Sequence, residues 1–265
     1  MMFLEPIDFA TMYKAHKLAT DFKGKSADEW NAKAADMAPR MVNSPYVDTF
    51  LSKMALDADD VVLDIGCGPG TLALALAKKV KKVIAVDYAG QMLEQLRLYA
   101  EREGITNIET YQLSWEDDWS ALPEADIAVA SRSLEVSDIE TALSKMTRHA
   151  AKACYLTYKA GGSYVDLEIL EFINRQITPK PDFWYIPLIL YQKGLLPRVD
   201  YIETEQGSIN SGSADAFVTS LRWSLGSLTG DEEEKAYHYY DKVVAKSNRH
   251  PRPFNWAFVA WETAR

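Results

Sequence analysis

The chain has 265 residues, 48% of them apolar, and a formal net charge of −9 at pH 7. That much apolar side chain can fill one large core, with additions to it. The acidic balance, with no basic cluster interleaved with aromatics, argues against binding bulk nucleic acid. Two cysteines, Cys67 and Cys154, supply no disulfide framework and fit a reducing compartment. Met1 to Leu4 is followed at once by Glu5 and Pro6 with no secretory pattern, and no apolar run approaches membrane-spanning length. A cytoplasmic protein with no membrane partner is expected.

Residues 7 to 58 read as helical. Phe9, Met12, Tyr13 and His16 share one face of a first helix. Ser26-Ala-Asp-Glu29 is a capping box that opens a second, in which Trp30, Ala34 and Met37 align at i, i+4 and i+7. Ser44-Pro45 starts a third, with Val47, Phe50, Leu51 and Met54 turned inward. Val61 to Ile65 is the apolar run that a strand buried on both faces requires. It breaks into Gly66-Cys67-Gly68-Pro69-Gly70-Thr71, and an alanine- and leucine-rich helix follows from Leu72 to Lys79. Strand, glycine turn and helix let a bulky ligand approach bare backbone at a helix N-terminus. Lys82 to Val86 makes a second strand, and Asp87 at its end is placed to accept hydrogen bonds from ribose hydroxyls.

A nucleoside cofactor follows. The dinucleotide fingerprint needs a third glycine where Thr71 stands; what is present is Asp64-x-Gly66-x-Gly68-x-Gly70. This resembles the first motif of the class I S-adenosylmethionine-dependent methyltransferases, a likeness extending over residues 44 to 160. The resemblance implies an α/β, Rossmann-like sheet of seven strands, mostly parallel with the last antiparallel. It also implies S-adenosylmethionine as cofactor. Gly66, Gly68 and Gly70 would lie against its methionine end and ribose, and Asp87 on the ribose. Asp64 would hold the turn or reach the cofactor's amino group through water. Cys67, Tyr88 and Ser131 complete the expected cofactor-binding set. Family members often precede the first strand with helices that fold over the cofactor, so residues 1–58 are expected as a lid. Residues 59–265 are then the methyltransferase domain, with helical insertions at about 162–197 and 213–247.

A helix from Gln91 to Glu103 ends at Gly104, and Asn107 to Leu113 is the third strand. The family usually holds adenine just after it with an acidic residue and a small one. Here the matching pair is Ser114 and Trp115, a hydroxyl for the exocyclic amine and a ring to stack on the base. Plain core packing of Trp115 is the alternative. Ala125 to Ala130 is the fourth strand, and its exit, Ser131-Arg132-Ser133-Leu134-Glu135, should face the transferred methyl. The Asn/Asp-Pro-Pro-aromatic motif of adenine and glutamine-amide methylating enzymes is not there. Arg132 is a candidate clamp for a substrate carboxylate or phosphate, or the partner of a neighbour such as Glu135. Ser137-Asp-Ile-Glu140 reads as a capping box opening a helix, and Ala153 to Tyr158 as the fifth strand.

Val165 to Ile177 reads as a helix broken by Thr178-Pro-Lys-Pro181, and a short one follows through Leu190 and Tyr191. Arg198 to Glu205 is a sixth strand. Two inserted helices come next, Ser213 to Leu228 and one opened by a Thr229-Gly-Asp-Glu232 capping box. Phe254 to Trp261 suits the last strand. No cluster at metal-ligand spacing appears, so no metal is expected. His16 and His238 are candidates to touch substrate; His149 and His250 read as solvated. Aromatic residues at 13, 30, 183–185 and 191 suit walls around a small, partly apolar acceptor, or packing of the insertions onto the sheet. The readings are a small-molecule methyltransferase, a non-catalytic cofactor-binding module, and an oxidoreductase with a nicotinamide cofactor. Either a monomer or a homodimer fits.

Overall fold

Side-chain alternation along the inner strands sets the layers. The computed structural model describes residues 7–204, 209–247 and 253–263. Strands β1 (Val61–Ile65), β2 (Lys82–Asp87), β3 (Ile108–Gln112), β4 (Ala125–Ser131), β5 (Ala150–Lys159), β6 (Arg198–Glu203) and β7 (Asn255–Glu262) form one sheet. Its order is β3-β2-β1-β4-β5-β7-β6. The first five neighbours pair in parallel, and β7 runs antiparallel to both β5 and β6.

Successive residues of a strand point to opposite faces. Val62, Val83, Ala85, Ile127 and Val129 therefore join one core, while Leu63, Ile65, Ile84, Ala128 and Ala130 join the other. The first core is closed by α4 (Tyr46–Ser52), α5 (Ala73–Ala77) and α6 (Gly90–Arg102). The second is closed by α1 (Phe9–Ala19), α7 (Ile139–Arg148) and α9 (Tyr185–Gln192). A third cluster belongs to the insertions, where α8 (Leu167–Phe172), α10 (Ala214–Leu225) and α11 (Gly230–Tyr239) pack on one another around Phe217.

Several boundaries differ from the sequence expectation. The second N-terminal helix breaks at Ala32–Lys33 into α2 (Ala27–Asn31) and α3 (Ala34–Val42), so Trp30 and Met37 do not share a helix. Its capping box is formed as read, Ser26 to Glu29. Pro45 caps α4 without a side-chain hydrogen bond. The cap of α7 is Asp138, which accepts from the amide of Thr141, not Ser137. The helix expected from 165 spans only 167–172, and Asn174 just beyond it takes a left-handed φ of 57°. Thr229 and Glu232 form the capping box of α11. Glu205 and His250 lie outside the described residues. No helix among the described residues is long and apolar enough to cross a membrane.

Candidate functional site

In an open α/β sheet the ligand crevice lies beyond the carboxyl ends of the strands, where the strand order reverses. Here that point is between β1 and β4, and the expected glycine turn meets Asp64 and Asp87 there. Gly66 and Cys67 leave β1 with both amides donating to the carbonyl of Val86 on β2 (2.7 and 3.0 Å), which turns the chain tightly across the sheet end. Gly66 has φ +67°, and a β-carbon on it would lie 2.3 Å from Cβ of Ser133. Ser133 in turn donates its hydroxyl to the carbonyl of Ile65 (2.6 Å), tying the exit of β4 to that of β1. Gly68 has φ +55°, and a β-carbon there would meet only Met41 Cε, at 3.5 Å. Its bare face is the open one. Gly70 is different: a β-carbon on it would lie 2.4 Å from Cδ1 of Leu96, so its bareness serves the packing of the turn on α6.

Asp87 closes this cradle from β2. One carboxylate oxygen accepts from the amide of Gly68 and the other from that of Ala89, both at 2.8 Å. Each carboxylate oxygen can accept again. Burial raises the Asp87 carboxyl above its ordinary value. Asp64 sits below, 1% exposed, and its Oδ2 has no hydrogen-bond partner. Burial, with the nearby Asp87 charge, pushes its carboxyl up to about 7. A buried carboxylate oxygen without a donor is costly unless a ligand supplies one. The Cys67 thiol is buried and raised well above its usual range by that burial, which makes it an inert part of the wall.

The N-terminal helices touch this region directly. Tyr88 donates its hydroxyl to the carbonyl of Lys25 (2.9 Å), and burial lifts its phenol to about 12. The Asn31 side chain accepts from the amide of Gln91 at the start of α6 (2.9 Å). Trp30 packs on Ala89 and Met92 and makes an edge contact with Trp223 of α10, 5.5 Å between ring centres. Ser114 and Trp115 follow β3, but both are engaged locally. The Ser114 hydroxyl accepts from the amide of Glu116 (3.2 Å), and the Trp115 ring nitrogen donates to the carbonyl of Ser133 (2.9 Å). The Trp115 ring lies against fully buried Trp119, 5.3 Å away.

At the end of β4, Ser131 bonds the hydroxyl of Tyr46 (2.8 Å), which also bonds Thr157 Oγ1 on β5 (2.6 Å). Arg132 forms no ion pair with Glu135. The two Glu135 oxygens are taken by Lys17 and Lys180, each at 2.7 Å. His16 bridges α1 to the 178–185 segment, with Nδ1 3.3 Å from the Tyr185 hydroxyl and Nε2 3.1 Å from the Pro179 carbonyl. His238 is exposed on α11 with its ring against Phe172 of α8, so its contacts are in the insertion layer. Of the expected aromatic walls, Tyr13 and Tyr185 are buried edge to face, 5.6 Å apart. Tyr191, 67% exposed, points to solvent instead. Among the described residues no group of three or more His, Cys, Asp or Glu side chains could hold a metal ion. Tyr46, Thr157 and Met41 were not legible as site residues, since each acts across a long sequence separation.

Three comparisons bear on this geometry. The methyltransferase domain model matches residues 62–153. An uncharacterized protein of Haemophilus influenzae is 34% identical over the whole of both chains. The 23S rRNA (uracil(1939)-C(5))-methyltransferase RlmD of Aliivibrio fischeri is 40% identical over 81 residues, which is 31% of this chain and 18% of that protein. In three dimensions the YcgJ protein of Bacillus subtilis superposes with a TM-score of 0.57 at 17% identity, covering 83% of this chain and 98% of that one.

Proposed function

Because the chain belongs to the class I S-adenosylmethionine-dependent methyltransferases, we propose that it methylates a small-molecule acceptor. The observation that carries the cofactor half of this reading is the cradle at the ends of β1 and β2. Gly68 presents open backbone, Asp87 is fixed by two amides with lone pairs to spare, and Asp64 Oδ2 is buried without a donor. These features fit S-adenosylmethionine. The ribose diol can donate to Asp87, and a cationic amino group, directly or through water, can satisfy Asp64. Tyr88, just past β2, would lie beside the base, and Ser131, at the end of β4, toward the methyl, while Trp115 is taken up by its contacts with Ser133 and Trp119. When bound, the cofactor supplies an electrophilic methyl on a sulfonium, which passes in line to the acceptor as the sulfur–carbon bond breaks. The protein's part is to position the partners and exclude water. Helix α2 and the loop before it serve that exclusion: Lys25, Trp30 and Asn31 lie against the β2–α6 turn.

The small-molecule half rests on surface chemistry. A net charge of −9 opposes retention of a phosphate backbone by counterion release. The match to RlmD favours a second reading, RNA methylation, but it spans 18% of that protein. Methyl-labelled S-adenosylmethionine incubated with the protein separates the two. Label is expected in a low-molecular-weight cell extract; label found only in total RNA or protein would overturn the small-molecule reading.

A further inference from the structure

Arg132 is held in a costly conformation with its charge left over. It has φ +59°, a region that non-glycine residues seldom occupy and that strained residues of functional sites share. The turn is fixed from below: the Arg132 amide donates to Thr157 Oγ1 (3.2 Å), and Thr157 and Ser131 share the hydroxyl of Tyr46. That network puts the Tyr46 ring under the guanidinium, 4.3 Å from its carbon, with Trp256 at 6.0 Å. A guanidinium lying over aromatic rings keeps its N–H edge free for a planar oxyanion. Among the described residues Arg132 forms no ion pair, and Glu135, the nearest carboxylate in sequence, is already held by two lysines.

A second cation belongs to the same cluster. Lys159 is paired in register with Trp256 across β5 and β7. It lies 4.8 Å above the Phe254 ring and 5.3 Å above that of Tyr164, which itself sits 6.2 Å from Trp256. Two of its three donors go to the carbonyls of Ala160 (2.9 Å) and Gly161 (3.1 Å), and it has no ion pair among the described residues. Two half-buried cations and four rings thus share one end of the sheet, immediately beside the exit of β4.

We propose that the methyl acceptor carries a carboxylate or phosphate that does not itself react, held bidentately by Arg132 and assisted by Lys159, with its apolar body against Tyr164 and Trp256. This rests on the small-molecule reading above. The test fractionates a low-molecular-weight extract on a strong anion exchanger at neutral pH, then assays each fraction with labelled S-adenosylmethionine. Acceptor activity is expected in the retained fraction; activity confined to the unretained fraction would overturn the proposal. Phosphatase treatment of the retained fraction tells the sources apart, since activity survives if the group is a carboxylate and is lost if it is a phosphate ester. On that fraction, Arg132→Lys and Arg132→Met should lower kcat/KM at least tenfold, with S-adenosylhomocysteine affinity unchanged by calorimetry. Unchanged kcat/KM would overturn the clamp, as would loss of S-adenosylhomocysteine binding, which would place Arg132 on the cofactor's own carboxylate. Label in no small-molecule fraction would remove the methyl-transfer reading and this inference with it.

Discussion

Replacing Asp64 by Asn probes the cradle most sharply, because the effect on stability and the effect on binding run in opposite directions. In the free protein the Asp64 carboxyl is 1% exposed with one oxygen unpartnered, and it titrates near 7 instead of 3.8. Between those values the folded state keeps a proton that the unfolded state has released. Stability therefore falls as pH rises through this window and stays low above it. About three pH units at about 1.4 kcal/mol each give about 4 kcal/mol lost by pH 8. An asparagine escapes that loss, less about 1–3 kcal/mol for a new amide donor left unsatisfied. The cofactor-free variant should then melt about 2–12 °C above the unmodified protein at pH 8, at about 2–4 °C per kcal/mol for a chain of this size. At pH 4 the gain disappears. With saturating S-adenosylmethionine the order reverses, because a ligand that binds only the folded state stabilises in proportion to its affinity and the variant has lost the charge facing the amino group. Differential scanning calorimetry at the two pH values, with and without cofactor, reads all four states. A variant that is no more stable than the unmodified protein at pH 8 would refute the reasoning.

Three further substitutions test the scaffold. Tyr46→Phe leaves the Thr157 hydroxyl, 0% exposed, without the Tyr46 partner that also joins it to Ser131; denaturant titration should show a loss of about 1–3 kcal/mol, and no loss would discount that network. Gly66→Ala must combine a left-handed backbone with a β-carbon 2.3 Å from Ser133, whereas Gly104→Ala has the same φ of +67° and open space around it. The second should cost about 1–2 kcal/mol, the strain alone, and the first clearly more, with cofactor binding lost as well; equal costs would mean that the β1–β4 contact yields freely.

Much of this arrangement is local and so was legible in the sequence. Buried parallel strands need near-continuous apolar runs, which marked Val61–Ile65 and Ala125–Ala130. The tight exit of β1 needs glycine at 66 and 68, and Asp87 follows its strand directly. Other features depend on partners far along the chain. Tyr46 meets Ser131 and Thr157 across 85 and 111 residues, and nothing in the Tyr46 neighbourhood announces that. Glu135 stood as a ready partner for Arg132 until Lys17 and Lys180 proved to occupy it from 118 and 45 residues away. The break at Ala32–Lys33 left no glycine or proline at the point of interruption, so apolar spacing alone ran the two helices together.

The central claim is that the Gly66–Gly68 turn and Asp87 hold S-adenosylmethionine. Isothermal calorimetry of the unmodified protein and of Asp87→Ala, with folding of both checked by circular dichroism, tests it directly. Hydrogen bonds to a charged group contribute about 1.5–3 kcal/mol each, so the variant should bind at least about tenfold more weakly. Saturable binding by the unmodified protein and that loss in the variant are predicted; equal affinity in the two proteins, or no uptake of S-adenosylmethionine by the unmodified one, would contradict the account.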